Sequence, residues 1–127
     1  MKTYIVVAAS LLAGSALGGL AIRGLHAETK APVYFIAENE ISNVEGYLKE
    51  YAPHARRMIT ANGGRYVAAG DATTFVGDPP KSRVAIFVFD NMDQIRTWLN
   101  SPEYVELRKV GEKHARFRNY AVPGIAQ

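Results

Sequence analysis

The sequence predicts a small α+β domain in which one antiparallel sheet is covered by helices on a single face. Three observations predict it. Stretches rich in β-branched and aromatic residues recur at 32–41, 65–69, 83–89 and 116–122. Between them lie two regions whose apolar residues repeat every three or four positions, the spacing of one helix face. Read in order, the elements run β-α-β-β-α-β.

Residues 1–27 read as an export leader. Lys2 is followed by 19 residues without a charge (4–22), then Arg23, and the segment closes at Leu25-His26-Ala27. Removal after Ala27 is the expectation. Retention as a membrane anchor is the alternative, because the run approaches the ~20 residues that span a bilayer. The basic start places the folded part outside the cytoplasm, periplasmic or secreted.

Residues 28–31 form a polar linker, and 32–41 the first strand. Ser42 and Glu45 fit a reciprocal cap at a helix start. The helix would turn Val44, Leu48, Tyr51, Ala55, Met58 and Ile59 inward, with a kink or restart at Pro53, which lacks a backbone donor. Asn62-Gly63-Gly64 supplies left-handed conformations to end it. A second strand at 65–69 leads into a loop, with a short strand expected at 73–76 and a turn at Gly77-Asp78-Pro79-Pro80. The strand at 83–89 is apolar at six consecutive positions, 84–89, so it belongs in the sheet centre with both faces covered. Met92, Ile95 and Leu99 mark a short helix. Ser101-Pro102-Glu103 starts another, a capping serine followed by proline at the first helical position, with Tyr104, Leu107 and Gly111 inside. The last strand is 116–122, followed by a tail, 123–127.

With right-handed crossovers this order gives the ferredoxin-like fold, both helices on one face of a four-stranded sheet. A central strand apolar on both faces then needs a second cover. A second copy of the chain supplies it, so a homodimer packed sheet to sheet is expected.

Composition narrows the function. Without the leader, 100 residues remain, enough for one core, and the net charge of +3 falls to +1 once Lys2 and Arg23 are removed. That balance gives no support for nucleic acid as a partner. A membrane is a partner only if the leader is retained. The absence of cysteine excludes disulfides, thiol catalysis and thiolate metal sites. No phosphate loop, dinucleotide fingerprint, nucleophile elbow or histidine–glutamate zinc motif occurs, and no cofactor or metal is predicted.

Several short motifs, in order, are familiar as a set: Tyr34-Phe35-Ile36-Ala37-Glu38, Tyr47 with Glu50-Tyr51, Gly63-Gly64-Arg65-Tyr66, Gly77-Asp78-Pro79-Pro80, the 84–89 run, Trp98, and Asn100-Ser101-Pro102-Glu103-Tyr104. Together they resemble the domain of unknown function 1330 family (DUF1330), across about residues 32–122. The resemblance implies a dimeric α/β barrel and no assigned activity. The wider superfamily it implies includes haem-degrading and cofactor-free monooxygenases, chlorite dismutases and lactone isomerases, each with its site between sheet and helices. Fold alone does not transfer any of these activities.

Candidate site residues follow from chemistry. Tyr47, Trp98, Tyr104 and Arg108 could line a cavity between sheet and helices. Arg65 and Tyr66 could orient a small acid there, a planar guanidinium beside a phenol. The preferred alternative for Arg65 is a structural bond to helix-end carbonyls or Asp78. Glu38 and Glu40, two apart on one strand face, are expected to pair across strands with Arg116 and Arg118 rather than to work as acid and base. His54 and His114 are expected as solvated surface groups, with haem ligation by His114 the minor alternative. The functional expectation is an exported dimer binding a small apolar or aromatic molecule in the sheet–helix cleft. The alternatives are a cofactor-independent monooxygenase or isomerase, a haem enzyme less so, and an interaction module without a ligand.

Overall fold

The computed structural model describes residues 31–81 and 83–126. The leader, its cleavage and the start of the linker lie outside the described residues. Strand β1 is Val33–Ile41, and a helical stretch follows in three parts: α1 (Val44–Gly46), a π-helical turn (Tyr47–Tyr51) and α2 (Ala52–Ala61). Then come β2 (Arg65–Gly70), β3 (Arg83–Phe89), α3 (Met92–Asn100), α4 (Pro102–Gly111), β4 (Ala115–Arg116) and β5 (Asn119–Pro123). Among the described residues no helix is long and apolar enough to cross a membrane.

The sheet runs β2-β3-β1, with β4 and β5 both beside β1, and every pairing is antiparallel. This is the ferredoxin-like order with the last strand in two pieces. Glu40 pairs with Arg116 and Ala37 with Asn119, so the ladder opens at Phe117-Arg118 without changing register. Phe117 packs instead against the Tyr51 ring, centroids 5.1 Å apart.

Strand alternation sorts the two faces. Phe35 and Ala37 on β1 with Phe87 and Phe89 on β3 are buried with Tyr51, Ala55, Ile59, Ile95, Trp98 and Tyr104 in one core. Each large apolar side chain buried in this way contributes roughly 1.5–3 kcal/mol. The other face carries Tyr34, Ile36, Ile86, Tyr120 and Val122, and no helix among the described residues covers it.

Three local expectations are corrected and one is refined. Pro53 breaks the regular ladder as expected, but the chain answers with the π turn, in which the Ala52 amide donates to the Tyr47 carbonyl five residues back. The wider turn shifts the inward face, so Tyr47 and Tyr51 point to the sheet while Val44 and Leu48 are 58% and 55% exposed. The cap is Asn43, whose side chain accepts from the Gly46 amide at 3.1 Å; the Ser42 hydroxyl donates to the His114 carbonyl instead. Residues 73–76 are loop, not strand. At the end of α2, Gly63 takes a φ of +90°, and a Cβ on Gly64 would meet Phe89 at 2.6 Å, which explains the glycine pair there.

Candidate functional site

Between sheet and helices lies a cavity of about 40 Å³. Alternate β1 residues Phe35, Ala37 and Asn39 form its floor, joined by Phe87 on β3, Tyr66 on β2 and Asn119 on β5. The roof is Tyr47, Tyr51 and Ala55 on one helical stretch, Trp98 on α3 and Tyr104 on α4. The π turn stacks Tyr47 and Tyr51 at 5.1 Å, and Trp98 stands edge-on to Phe35 at 5.2 Å and 4.8 Å from Tyr104.

The polar groups inside follow a simple account. Asn39 Nδ2 donates to the Tyr47 hydroxyl at 3.0 Å, and the Tyr51 and Tyr104 hydroxyls share a bond of 2.7 Å. Two buried atoms are left over: Asn39 Oδ1 and Trp98 Nε1 have no partner among the described residues. Turning the Asn39 amide over would only exchange which of its atoms is left unpaired. A buried indole N–H normally finds an acceptor, and leaving one unpaired costs about 1–3 kcal/mol. Two residues of the aromatic cavity wall thus each carry one buried polar atom without a partner among the described residues.

Among the described residues no charged side chain lines this cavity. Burial pushes the phenols of Tyr47, Tyr66 and Tyr104 up, and Tyr51 furthest, with the neighbouring Tyr104 adding to it. All four are neutral hydroxyls at physiological pH. The lining offers shape and hydrogen-bonding groups rather than charge.

Of the sequence candidates, the structure brings together Tyr47, Tyr66, Trp98 and Tyr104 around the cavity, and leaves Arg65 and Arg108 outside it. Arg65 opposes Val88 on the uncovered face, because Tyr66 takes the inward position opposite Phe87. Arg108 points to solvent and bonds Glu112 at 2.8 Å, one helical turn away. Asn39 escaped the sequence reading. Its signal was parity, since it shares a face with Phe35 and Ala37.

Glu38 lies with Arg118 at 3.7 Å, accepts from the Tyr120 hydroxyl at 2.6 Å, and its amide donates to the Arg118 carbonyl at 2.9 Å. Glu40 opposes Arg116 in register, with no ion pair between them among the described residues. These residues border a second, open groove of about 600 Å³ on the uncovered side of the sheet, closed at its other edge by Pro79 and Pro80.

His114 corrects the expectation of a solvated histidine. Its side chain is 13% exposed; Nδ1 accepts from the Asn43 amide at 3.3 Å, and Nε2 bonds the Glu50 carboxylate. With both ring nitrogens engaged, His114 ties the start of the helical stretch to β4 and has no free position for haem iron. His54 is exposed, beside Arg57.

The sequence model of a family described as domain of unknown function (DUF1330) matches residues 32–125. No curated protein matches the chain. Among solved structures, the RPA0582 protein of unknown function from Rhodopseudomonas palustris is similar, with a TM-score of 0.62 at 14% identity, over 84% of this chain and 94% of that one. SnoaB, a cofactor-independent oxygenase from Streptomyces nogalater, is similar with a TM-score of 0.56 at 13% identity, over 76% of this chain and 96% of its own. At such identities the likeness is one of fold.

Proposed function

The chain belongs to the domain of unknown function (DUF1330) family, and from that premise we propose that it is an exported homodimer that binds a small, flat, hydroxylated aromatic molecule between sheet and helices. One observation carries this reading: Trp98 and Asn39, which line the same aromatic cavity, each carry a buried polar atom, Nε1 and Oδ1, with no partner among the described residues. A hydroxyl group can accept from the first and donate to the second, while the ring packs among Phe35, Tyr47 and Tyr66.

The cavity's present 40 Å³ suits one or two waters. A ring enters by turning out Tyr66, which lines the cavity yet is 38% exposed. The homodimer is supported by the uncovered face, where Tyr34 and Val122 are 38% and 46% exposed in one apolar strip. Export is supported by the leader pattern alone.

A second reading is a cofactor-independent oxygenase, the activity named for SnoaB. The observation favouring it is an aromatic cavity lined by neutral hydrogen-bonding groups with no charged side chain, where an oxidisable ligand would meet dioxygen away from bulk water.

The test uses the single tryptophan of the chain. Native mass spectrometry of the protein isolated from the cell envelope reads any bound mass. The Trp98 indole N–H resonance is then followed on adding phenol or benzene. A shift with phenol that benzene does not reproduce is expected. An unmoved resonance together with a protein free of bound mass would sink the binding reading. Dioxygen uptake on adding hydroxyaromatics separates the second reading from the first.

A further inference from the structure

Among the described residues that line the cavity between sheet and helices, Tyr66 is the one exposed aromatic, so the cavity meets solvent there. Two arginines stand at this mouth. Arg56, on α2, holds its guanidinium over the Tyr66 ring, 5.1 Å from the centroid. Arg83 begins β3 and pairs with Asn39 on β1, so both side chains leave the sheet on the helix side. Asn39 reaches the Tyr47 hydroxyl at 3.0 Å. Burial raises that phenol, and the Asn39 bond and the Arg83 charge each offset part of the rise. Arg56 and Arg83 are exposed, and neither forms an ion pair among the described residues. Arg65, beside Tyr66 in sequence, opposes Val88 on the other face.

The cavity and its mouth therefore differ in character. Inside are rings and neutral polar groups, where a carboxylate without a partner would lose its hydration for nothing. At the mouth are two guanidinium groups, planar forks that fit a carboxylate and still reach water. A ring that enters by turning out Tyr66 takes from Arg56 the aromatic face it rests on. A substituent on the outer end of that ring emerges at the same place.

We propose that the molecule bound in the cavity is an aromatic hydroxy acid, with its hydroxyl bonded to Trp98 and Asn39 and its carboxylate at the mouth on Arg56, where Arg83 adds a second positive charge. This rests on the binding reading above and names the substrate class of that site. The carboxylate stays partly in water, so little hydration is lost, and Arg56 exchanges a phenol face for a charge-assisted bond.

The test compares three probes by calorimetry on the full chain: phenol, 4-hydroxybenzoate and its neutral counterpart of nearly equal shape, 4-hydroxybenzamide. At neutral pH and low salt the acid should bind at least about fivefold more tightly than the amide. Added salt should shrink that ratio. Arg56→Gln should bring it close to one, Arg83→Gln should lower it in part, and Arg65→Gln, on the other face, should leave it unchanged. The ratio is taken within each protein, so a general loss of affinity in a variant does not imitate the effect. An acid that binds no better than the amide to the unaltered chain overturns the inference without any variant, and phenol binding then leaves the underlying reading in place. A preference that survives Arg56→Gln, or that falls equally with Arg65→Gln, overturns it as well. A chain that binds none of the three probes overturns the binding reading itself.

Discussion

Trp98 and Asn39 come from opposite walls of one cavity, α3 and β1, and neither Trp98 Nε1 nor Asn39 Oδ1 has a hydrogen-bond partner among the described residues. Trp98→Phe removes the unpaired donor and keeps an aromatic ring. Losing part of the ring costs packing, while removing an unsatisfied N–H returns some stability. The net loss should stay below about 1.5 kcal/mol in urea unfolding, well short of the roughly 3–5 kcal/mol of Trp98→Ala. Affinity for phenol should fall at least about tenfold, which calorimetry measures.

Alkaline pH tests the buried phenols. The ordinary tyrosine value is 10.0, and burial holds Tyr51 far above it with Tyr104 also raised. An unfolded chain ionises these groups near pH 10 while the folded one retains their protons. The unfolded state therefore binds fewer protons above pH 10, and stability falls as pH rises past it by up to about 1.4 kcal/mol per unit for each such tyrosine. Below pH 9 they contribute no slope. Tyr51→Phe should flatten the fall between pH 10 and 11 by one tyrosine's share. At neutral pH it should cost about 1 kcal/mol for the lost bond to Tyr104. Urea midpoints across pH 8–11 report both.

Gly111 ends α4 against two rings. A Cβ there would lie 2.6 Å from Phe117 Cζ and 2.6 Å from Tyr51 Cδ2. Gly111→Ala should therefore destabilise by roughly 1–3 kcal/mol despite alanine's better helix propensity. The displaced Tyr51 should also move the Trp98 indole resonance, because Tyr104 touches both rings. A thermal melt and one spectrum check this.

Sheet order, the glycine turn at Gly63-Gly64 and the serine cap at Ser101 were legible because each depends on local chemistry or strand parity. The inward helix face was not. Period counting assumes a constant 3.6 residues per turn, and the π turn before Pro53 breaks that assumption, exchanging Leu48 for Tyr47 on the inner side. His114 was misjudged because its neighbours in sequence are charged, while its partner Glu50 lies 64 residues away. Half the cavity was readable as aromatics at helical spacing. Asn39, a polar residue between Glu38 and Glu40, gives no apolar signal, although alternation from Phe35 points it inward.

The two strand glutamates should differ sharply when neutralised. Glu38 accepts from Tyr120 at 2.6 Å and lies 3.7 Å from Arg118, with its side chain only 14% exposed. Glu40 is exposed and forms no ion pair among the described residues, although Arg116 opposes it. The Arg118 guanidinium is largely in water, so its share is small. The Tyr120 bond carries most of the effect. Glu38→Gln should cost about 1 kcal/mol and Glu40→Gln close to nothing. A double-mutant cycle with Tyr120→Phe should return a coupling of about 0.5–1 kcal/mol for Glu38. Equal effects of the two glutamates in urea unfolding would instead show that overall charge, rather than this phenol–carboxylate bond, sets their contribution.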